Sequence, residues 1–193
     1  ASIDPWRLQV TTKLVSQVNF DEMVGIDRIA NAVDEIIATV GADYKERGIQ
    51  ETPFAFVKNN AGTYGMGVLK VSSGKELLEL NRRERNKMAV GKNNLQINEV
   101  IVQEGIPTCF KVDDVIAEPA IYLLGLELLG GFLRKNPTKG RDENLNSRGM
   151  VFHKLCMSDL RTPRSPESHN SELELVYGTL AQLSGAAMAA ELA

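Results

Sequence analysis

The stretch FVKNNAGTYGMGV, residues 56–68, concentrates residue types that handle phosphate. Glycines fall at 62, 65 and 67, six residues from first to last, with Lys58 four positions upstream of the first. Glycine lets a backbone approach a ligand closely and reach φ > 0 without a steric penalty. Successive N–H groups in such a loop can form an anion-binding nest. A P-loop would need G-x-x-x-x-G-K-[ST] at the start of a helix, and no lysine follows these glycines correctly. A dinucleotide fingerprint would need G-x-G-x-x-G between a strand and a helix, whereas the order here is G-x-x-G-x-G between two apolar runs. The remaining arrangement is a strand, a glycine loop and a second strand, a hairpin able to fold over phosphates as a flap. An ordinary hairpin turn beside a surface lysine has the same local composition.

A second candidate is Gln103-Glu104 at the end of the apolar run VIVQEGI. A strand end can offer backbone N–H and C=O groups to a purine edge while a nearby acid accepts from a ribose hydroxyl. Alone, the pair also reads as solvent-facing polarity. Arg82, Arg83, Arg85 and Lys87 form a basic cluster that would attract a phosphate-bearing ligand or an acidic substrate, or else solvate a helix face with Glu84 as partial compensation. Lys87 is its strongest binding candidate. His153 and His169 stand at no metal-ligand spacing, Cys109 reads as a buried inert thiol, and Glu118 as either a site carboxylate or a turn acid.

The elements around these residues follow from apolar period and breakers. Asp4-Pro5 predicts a short helix to about Gln17. Ile26, Ile29, Ala30, Val33, Ile36, Ile37, Val40 and Tyr44 recur at helical spacing, with Gly48 as the stop. Pro53–Lys58 and Gly67–Val71 read as strands. Ser73-Gly74-Lys75-Glu76 reads as a capping box that starts one helix through LLELNRRER. Glu99–Gln103 is a short buried strand, and VIAEPAIYLL and LELLGGFLRK are paired strands turning near Gly125. NPTKGRDENLNSRG is a polar loop, VFHKLC a further short strand, and RTPRSPESHN an exposed segment. Ser171 opens a last helix with Leu173, Val176, Tyr177, Leu180 and Leu183 on one face. The expected fold class is α+β, a mainly antiparallel sheet with flanking helices.

Composition sets the outer bounds. Of 193 residues, 43% are apolar and 24% charged, enough for a real core. A net charge of −3, with no aromatics interleaved among the basic residues, argues against nucleic acid. No apolar run approaches the roughly 20 residues of a membrane span, and ASIDPWRLQ lacks the basic and apolar regions of a signal peptide. Two cysteines favour a reduced, cytoplasmic setting over a disulfide scaffold. The missing initiator Met fits either a processed product or a part of a longer polypeptide.

The series strand, Lys58, glycine flap, strand and helix, then VIVQEGIP, then LLGGFLRKNP and ENLNSRG, resembles the ATP-grasp ligases, and bacterial glutathione synthetase has a comparable order. FVKNNAGTYGMGVLKV, LNRRERNKMAV, EVIVQEGIPT, AEPAIYLL and ENLNSRGM resemble the proteobacterial glutamate–cysteine ligase family more closely, over nearly the whole chain from about Asn19. The resemblance implies one ATP-grasp-like nucleotide-binding region over 1–193, the C-terminal portion of a longer ligase. It implies ATP and Mg²⁺ as cofactors and glutamate and cysteine as substrates, joined through an acyl phosphate in glutathione biosynthesis, and it leaves a homo-oligomer open. Lys58 would bind ATP phosphates beneath Gly62, Thr63, Tyr64, Gly65, Met66 and Gly67. Gln103, Glu104, Gly105 and Ile106 would form the adenine and ribose hinge. Arg134 would face the transferred phosphate and the acyl substrate. Many ATP-grasp enzymes carry a late E-x-N metal motif. This chain has none after Val151, so Glu143, Asn144 and Asn146 are the nearest substitutes as metal ligands, or the missing ligand lies outside this sequence. Another carboxylate–amine ligase, or a nucleotide-binding fragment without catalysis, would share these features.

Overall fold

A computed structural model describes residues 4, 6, 8–60, 67–89, 96–155 and 171–192, with the side chains of 171–175 left aside. The chain divides into two compact units, Ala1–Pro107 with Asp142–Asn144, and Thr108–Arg141 with Leu145–Ala193. None of the described helices is long and apolar enough to cross a membrane.

The first unit is an antiparallel sheet of β1 (Thr12–Ser16), β2 (Ala55–Asn59), β3 (Val68–Val71) and β4 (Glu99–Glu104), in the order β1-β4-β2-β3. Strand alternation gives it two unlike faces. Val15, Val57, Val71, Val100 and Val102 point to one side, where helix α1 (Ile26–Glu46) buries Ile29, Val33, Ile36 and Val40. The helix-spaced apolar residues thus form the expected stripe. α1 ends in a Schellman turn: Gly48 has φ 67°, its N–H reaches the Lys45 carbonyl, and the Ile49 N–H reaches that of Tyr44.

Two expected helices are corrected. Asp4 does accept the Trp6 N–H, at 3.1 Å, but residues 12–16 form β1, not the end of a helix. TTKLV is rich in β-formers, and pairing with β4 from Thr12↔Gln103 to Ser16↔Glu99 satisfies its backbone. The single helix after Ser73 is two, α2 (Gly74–Leu78) and α3 (Arg82–Ala89). Buried Leu80 turns inward between them. Asn81 and Glu84 then form their own reciprocal cap, with the Glu84 N–H on Asn81 Oδ1 and the Asn81 N–H on Glu84 Oε2, both at 3.0 Å. Ser73 makes no side-chain cap. In its place, Asp34 of α1 accepts the Gly74 N–H at 2.7 Å.

The second unit is a further antiparallel sheet, β5 (Lys111–Val112), β6 (Val115–Leu124), β7 (Glu127–Lys135) and β8 (Val151–Leu155), in that order. The β6–β7 turn contains Gly125 at φ 59°. A last helix, α4 (Ser171–Glu191), packs on β6 and β7. Its buried face is not the expected one. Val176, Leu180 and Leu183 are exposed, while Gly178 and Gly185 are buried and Ala181 packs against the sheet core. Small residues allow close approach: a Cβ at Gly185 would sit 3.2 Å from Leu123 Cδ1. Among the described residues of the predicted face, Tyr177 alone is partly covered, its ring 5.9 Å from that of Phe110. Leu173 and RTPRSPESHN lie outside the described residues.

Candidate functional site

The face of the first sheet opposite α1 gathers the polar candidates. Register places Thr12, Leu14 and Ser16 beside Gln103, Ile101 and Glu99, then Phe56 and Lys58, then Lys70 and Val68. Lys58 Nζ donates to Gln103 Oε1, and Gln103 Nε2 donates to Thr12 Oγ1 at 3.3 Å. The Lys58 ammonium also stands 5.6 Å from the Phe56 ring centroid. So the lysine one residue before the end of β2 and the glutamine one residue before the end of β4 meet, although 45 positions separate them. Around them, Lys70 pairs with Asp142, and Glu99 accepts from Ser16 Oγ at 2.6 Å and from Asn60 Nδ2. Those donors, Ser16 first, hold the Glu99 carboxyl below its ordinary pKa.

The rest of the predicted hinge is divided by the same alternation. Glu104 points to the opposite side of β4 from Gln103, is buried, and accepts the Thr11 N–H at 3.1 Å. Burial, then the Glu104 and Glu51 charges, raise the pKa of Tyr44. The N–H groups of Glu104 and Gly105 are both engaged, on the Thr11 and Phe54 carbonyls at 2.8 Å. Gly105 also has a packing reason to be glycine, because a Cβ there would lie 2.1 Å from the Phe54 ring. Ile106 is exposed.

Of the glycine segment, Gly67 is described. It has φ 62°, its carbonyl accepts the Asn59 N–H at 3.0 Å, and a Cβ on it would be 3.7 Å from the Lys87 carbonyl. The base of the hairpin therefore adjoins the last turn of α3, which carries Lys87. Gly62, Thr63, Tyr64, Gly65 and Met66 lie outside the described residues.

In the second unit, Arg134 of β7 stands between Glu118 on β6 and Phe152 on β8, its direct cross-strand neighbours. Its Nη1 is 3.7 Å from Glu118 Oε2, and Thr108 Oγ1 donates to Glu118 Oε1 at 3.3 Å. Arg134 Nε is buried without a partner among the described residues. Two residues on, Asn136 is wholly buried and ties down the polar loop. Its Nδ2 donates to Ser147 Oγ at 3.1 Å and to the Leu145 and Arg148 carbonyls at 3.4 Å, and its Oδ1 accepts from the N–H and hydroxyl of Thr138.

Asn146 shares this loop and is half-buried, as are Glu143 and Asn144, which belong to the first unit. Among the described residues no group of three or more His, Cys, Asp or Glu could hold a metal. His153 lies exposed on β8, and His169 is outside the described residues. Cys109 is exposed, a correction to its expected burial, because it lies in the irregular connection between β4 and β5. Thr12 and Asn136 were not singled out in the sequence. Thr12 was hidden by the helix expectation, and Asn136 by a polar loop in which every residue looks solvated.

Comparison with known proteins adds an independent line. The family model described as GshA, glutamate-cysteine ligase, matches residues 1–192. A solved structure from Methylobacillus flagellatus KT, assigned as a gamma-glutamylcysteine synthetase, is 38% identical with a TM-score of 0.79. The match covers 98% of this chain and 46% of that one, so this chain spans about half the length of its solved relative. No curated protein matches. A family match running almost from end to end, together with that identity and fold agreement, shows that the chain belongs to the glutamate–cysteine ligase family.

Proposed function

We propose that this chain forms the nucleotide-binding core of an ATP-dependent carboxylate–amine ligase that joins glutamate and cysteine into gamma-glutamylcysteine through an acyl phosphate. The observation that carries this reading is the meeting of Lys58 with Gln103 on the open face of the first sheet, beside the base of the glycine segment. A lysine there can leave Gln103 for a phosphate oxygen, a stronger charge-assisted bond. The segment from Gly62 to Gly67 is assigned as an ATP-grasp-like flap that excludes water from a hydrolysable intermediate.

The chemistry follows from the poor electrophilicity of a carboxylate. The carboxylate oxygen of glutamate attacks the terminal phosphorus, ADP leaves, and the amine of cysteine displaces phosphate from the acyl carbon. Positive groups must meet charge developing on the phosphate oxygens. Lys58 and Lys87 are assigned to ATP, and Arg134 to the transferred phosphate and acyl group. The orphaned Arg134 Nε is consistent with a guanidinium awaiting an oxyanion. In the hinge, the engaged N–H groups of Glu104 and Gly105 shift the purine donor to Ile106. Glu104 faces away from Gln103, which leaves the ribose contact to Gln103 and its neighbours on the open face.

Mg²⁺ prefers oxygen ligands and keeps several waters, which fits the donor set of Glu143, Asn144 and Asn146. When bound it would neutralise phosphate charge. These residues would hold and orient it.

Two measurements test the proposal. ADP release should require glutamate and rise when cysteine is added. Lys58→Met should weaken ATP binding at least about tenfold, the loss expected of one charge-assisted contact, with an unchanged melting profile. Equal ATP affinity of the variant and the parent in calorimetry would remove Lys58 from its role. ATP binding with no ADP release, both amino acids present, would favour a nucleotide-binding module.

A further inference from the structure

Arg134 of β7 is flanked along one cross-strand row by Glu118 of β6 and Phe152 of β8. Glu118 Oε2 lies 3.7 Å from Arg134 Nη1, and Glu118 Oε1 accepts the Thr108 hydroxyl at 3.3 Å. Each carboxylate oxygen therefore faces one neighbouring side chain. Thr108 is fixed in turn, its N–H on the Arg141 carbonyl at 2.7 Å. Pro119 follows Glu118, and the residue before a proline is confined to extended backbone.

An arginine side chain samples many rotamers, and a guanidinium that must meet an oxyanion in one orientation loses that freedom on binding. Holding it beforehand needs a partner that takes one edge and leaves the other open. Glu118 meets that need. Nη1 faces the carboxylate, whereas the buried Nε belongs to the opposite, side-on edge and has no partner among the described residues. At 3.7 Å the contact is a charge tether beyond hydrogen-bond length, so it sets direction without saturating Nη1. With its oxygens turned to Thr108 and Arg134, Glu118 is arranged as a support and not as an acid turned toward a ligand.

We propose that Glu118 is a positioning residue: held by Thr108, it aims the Arg134 guanidinium so that the Nε edge meets the reacting oxyanion. The use of that edge on the transferred phosphate and acyl group rests on the function proposed above; the aiming itself rests on the geometry of Thr108, Glu118 and Arg134. Such a support carries a cost. The Glu118 charge offsets part of the attraction that Arg134 exerts on an anion, so the pair trades ground-state binding for orientation. Orientation counts most in the transition state, where a group misplaced by about 1 Å can cost about a hundredfold in rate. Loss of the carboxylate charge should therefore slow turnover while ATP binds as tightly as before, or more tightly.

Nuclear magnetic resonance and kinetics on the full 193-residue chain test it. The Arg134 Nε–Hε resonance, assigned by its loss in Arg134→Lys, should show a lower order parameter in Glu118→Gln at an unchanged melting temperature. In the same variant kcat for glutamate-dependent ADP release should fall at least about tenfold, with KM for ATP unchanged or lower. Thr108→Val should loosen the Arg134 resonance in the same direction, and Thr108→Ser, which keeps the hydroxyl, should restore it. Equal order of Arg134 in the parent and in Glu118→Gln overturns the proposal, and so does full turnover with a loosened guanidinium. Turnover of Glu118→Gln restored by excess Mg²⁺ overturns it in favour of a metal ligand. A kcat and KM that worsen together, with a lowered melting temperature, overturn it in favour of a fold-stabilising role. No ADP release by the parent sinks the ligase reading, and the Arg134 resonance then decides the aiming by itself.

Discussion

Asn136 shows how one amide can organise a loop. It has no exposed surface, and five hydrogen bonds converge on it, three donated by Nδ2 and two accepted by Oδ1. Beside it, Leu145 is 1% exposed and pins the middle of ENLNS. Apolar and polar anchors together hold the loop that presents Asn146. Leaving a buried donor or acceptor unsatisfied costs about 1–3 kcal/mol, and Asn136→Ala strands several at once. The variant should therefore lose at least about 2 kcal/mol of stability. Thr138→Val should lose less, because the Thr138 N–H remains to serve Oδ1. Chemical denaturation of both variants checks this order, and equal midpoints for Asn136→Ala and the parent would show the loop to be held by Leu145 alone. Sequence alone could not single out Asn136, since hydrogen bonding to residues 9 to 12 positions away depends on how the loop closes.

Elements defined by their own period were legible; those defined by a partner were not. α1 follows from apolar spacing and the Gly48 stop, and β2, β3, β4, β6, β7 and β8 from β-rich runs bounded by breakers. β1 was misread because its strand state rests on β4, more than 80 positions away. The buried face of α4 was misread because side-chain size, and not hydrophobicity, decides which side can approach β6 and β7. The candidate site shows the same division. Lys58 and Gln103 were legible as strand ends, but which of Gln103 and Glu104 faces outward depends on register. The start of α2 offers a test at this scale. Gly74 donates to Asp34 of α1, and a Cβ there would lie 2.4 Å from the Ala30 carbonyl oxygen. Gly→Ala gains about 1 kcal/mol of helix propensity inside a helix, and less at a first position. Forcing atoms into a packed contact costs about 1–3 kcal/mol, and here the obstacle is backbone that cannot rotate away. Steric cost wins, so Gly74→Ala should lower the denaturation midpoint. A raised midpoint would mean that α2 can slide on α1.

At the scale of the whole molecule, the two units are unequally buried. The first buries Phe20, Ile26, Ile29, Val33, Ile36, Val57, Leu77, Met88, Val100 and Val102 at 2% exposure or less between α1 and its sheet. The buried cluster of the second sheet is Leu128, Leu133 and Leu155, extended by half-covered Phe110, Val112, Ile121, Leu123 and Ala181. Tyr122, Leu124, Leu126, Leu129 and Phe152 are more than half exposed, although Phe132 and Phe152 do meet edge to face at 4.9 Å. Burial of apolar area yields about 25 cal/mol per Å², while ordering the backbone costs about 1–2 kcal/mol per residue in either unit. The margin left over is therefore smaller in the second unit. Local opening free energies follow such differences. Amide hydrogen exchange should thus be fastest among ordered strands in β6, β7 and β8, and slowest in β2, β4 and the middle of α1. Because β6 and β7 form the longest hairpin, with only one bulge between Tyr122 and Leu123, hydrogen-bond count alone would predict the reverse. Protection of β6 and β7 equal to that of β2 and β4 would show that ladder length, not side-chain burial, sets the order of opening.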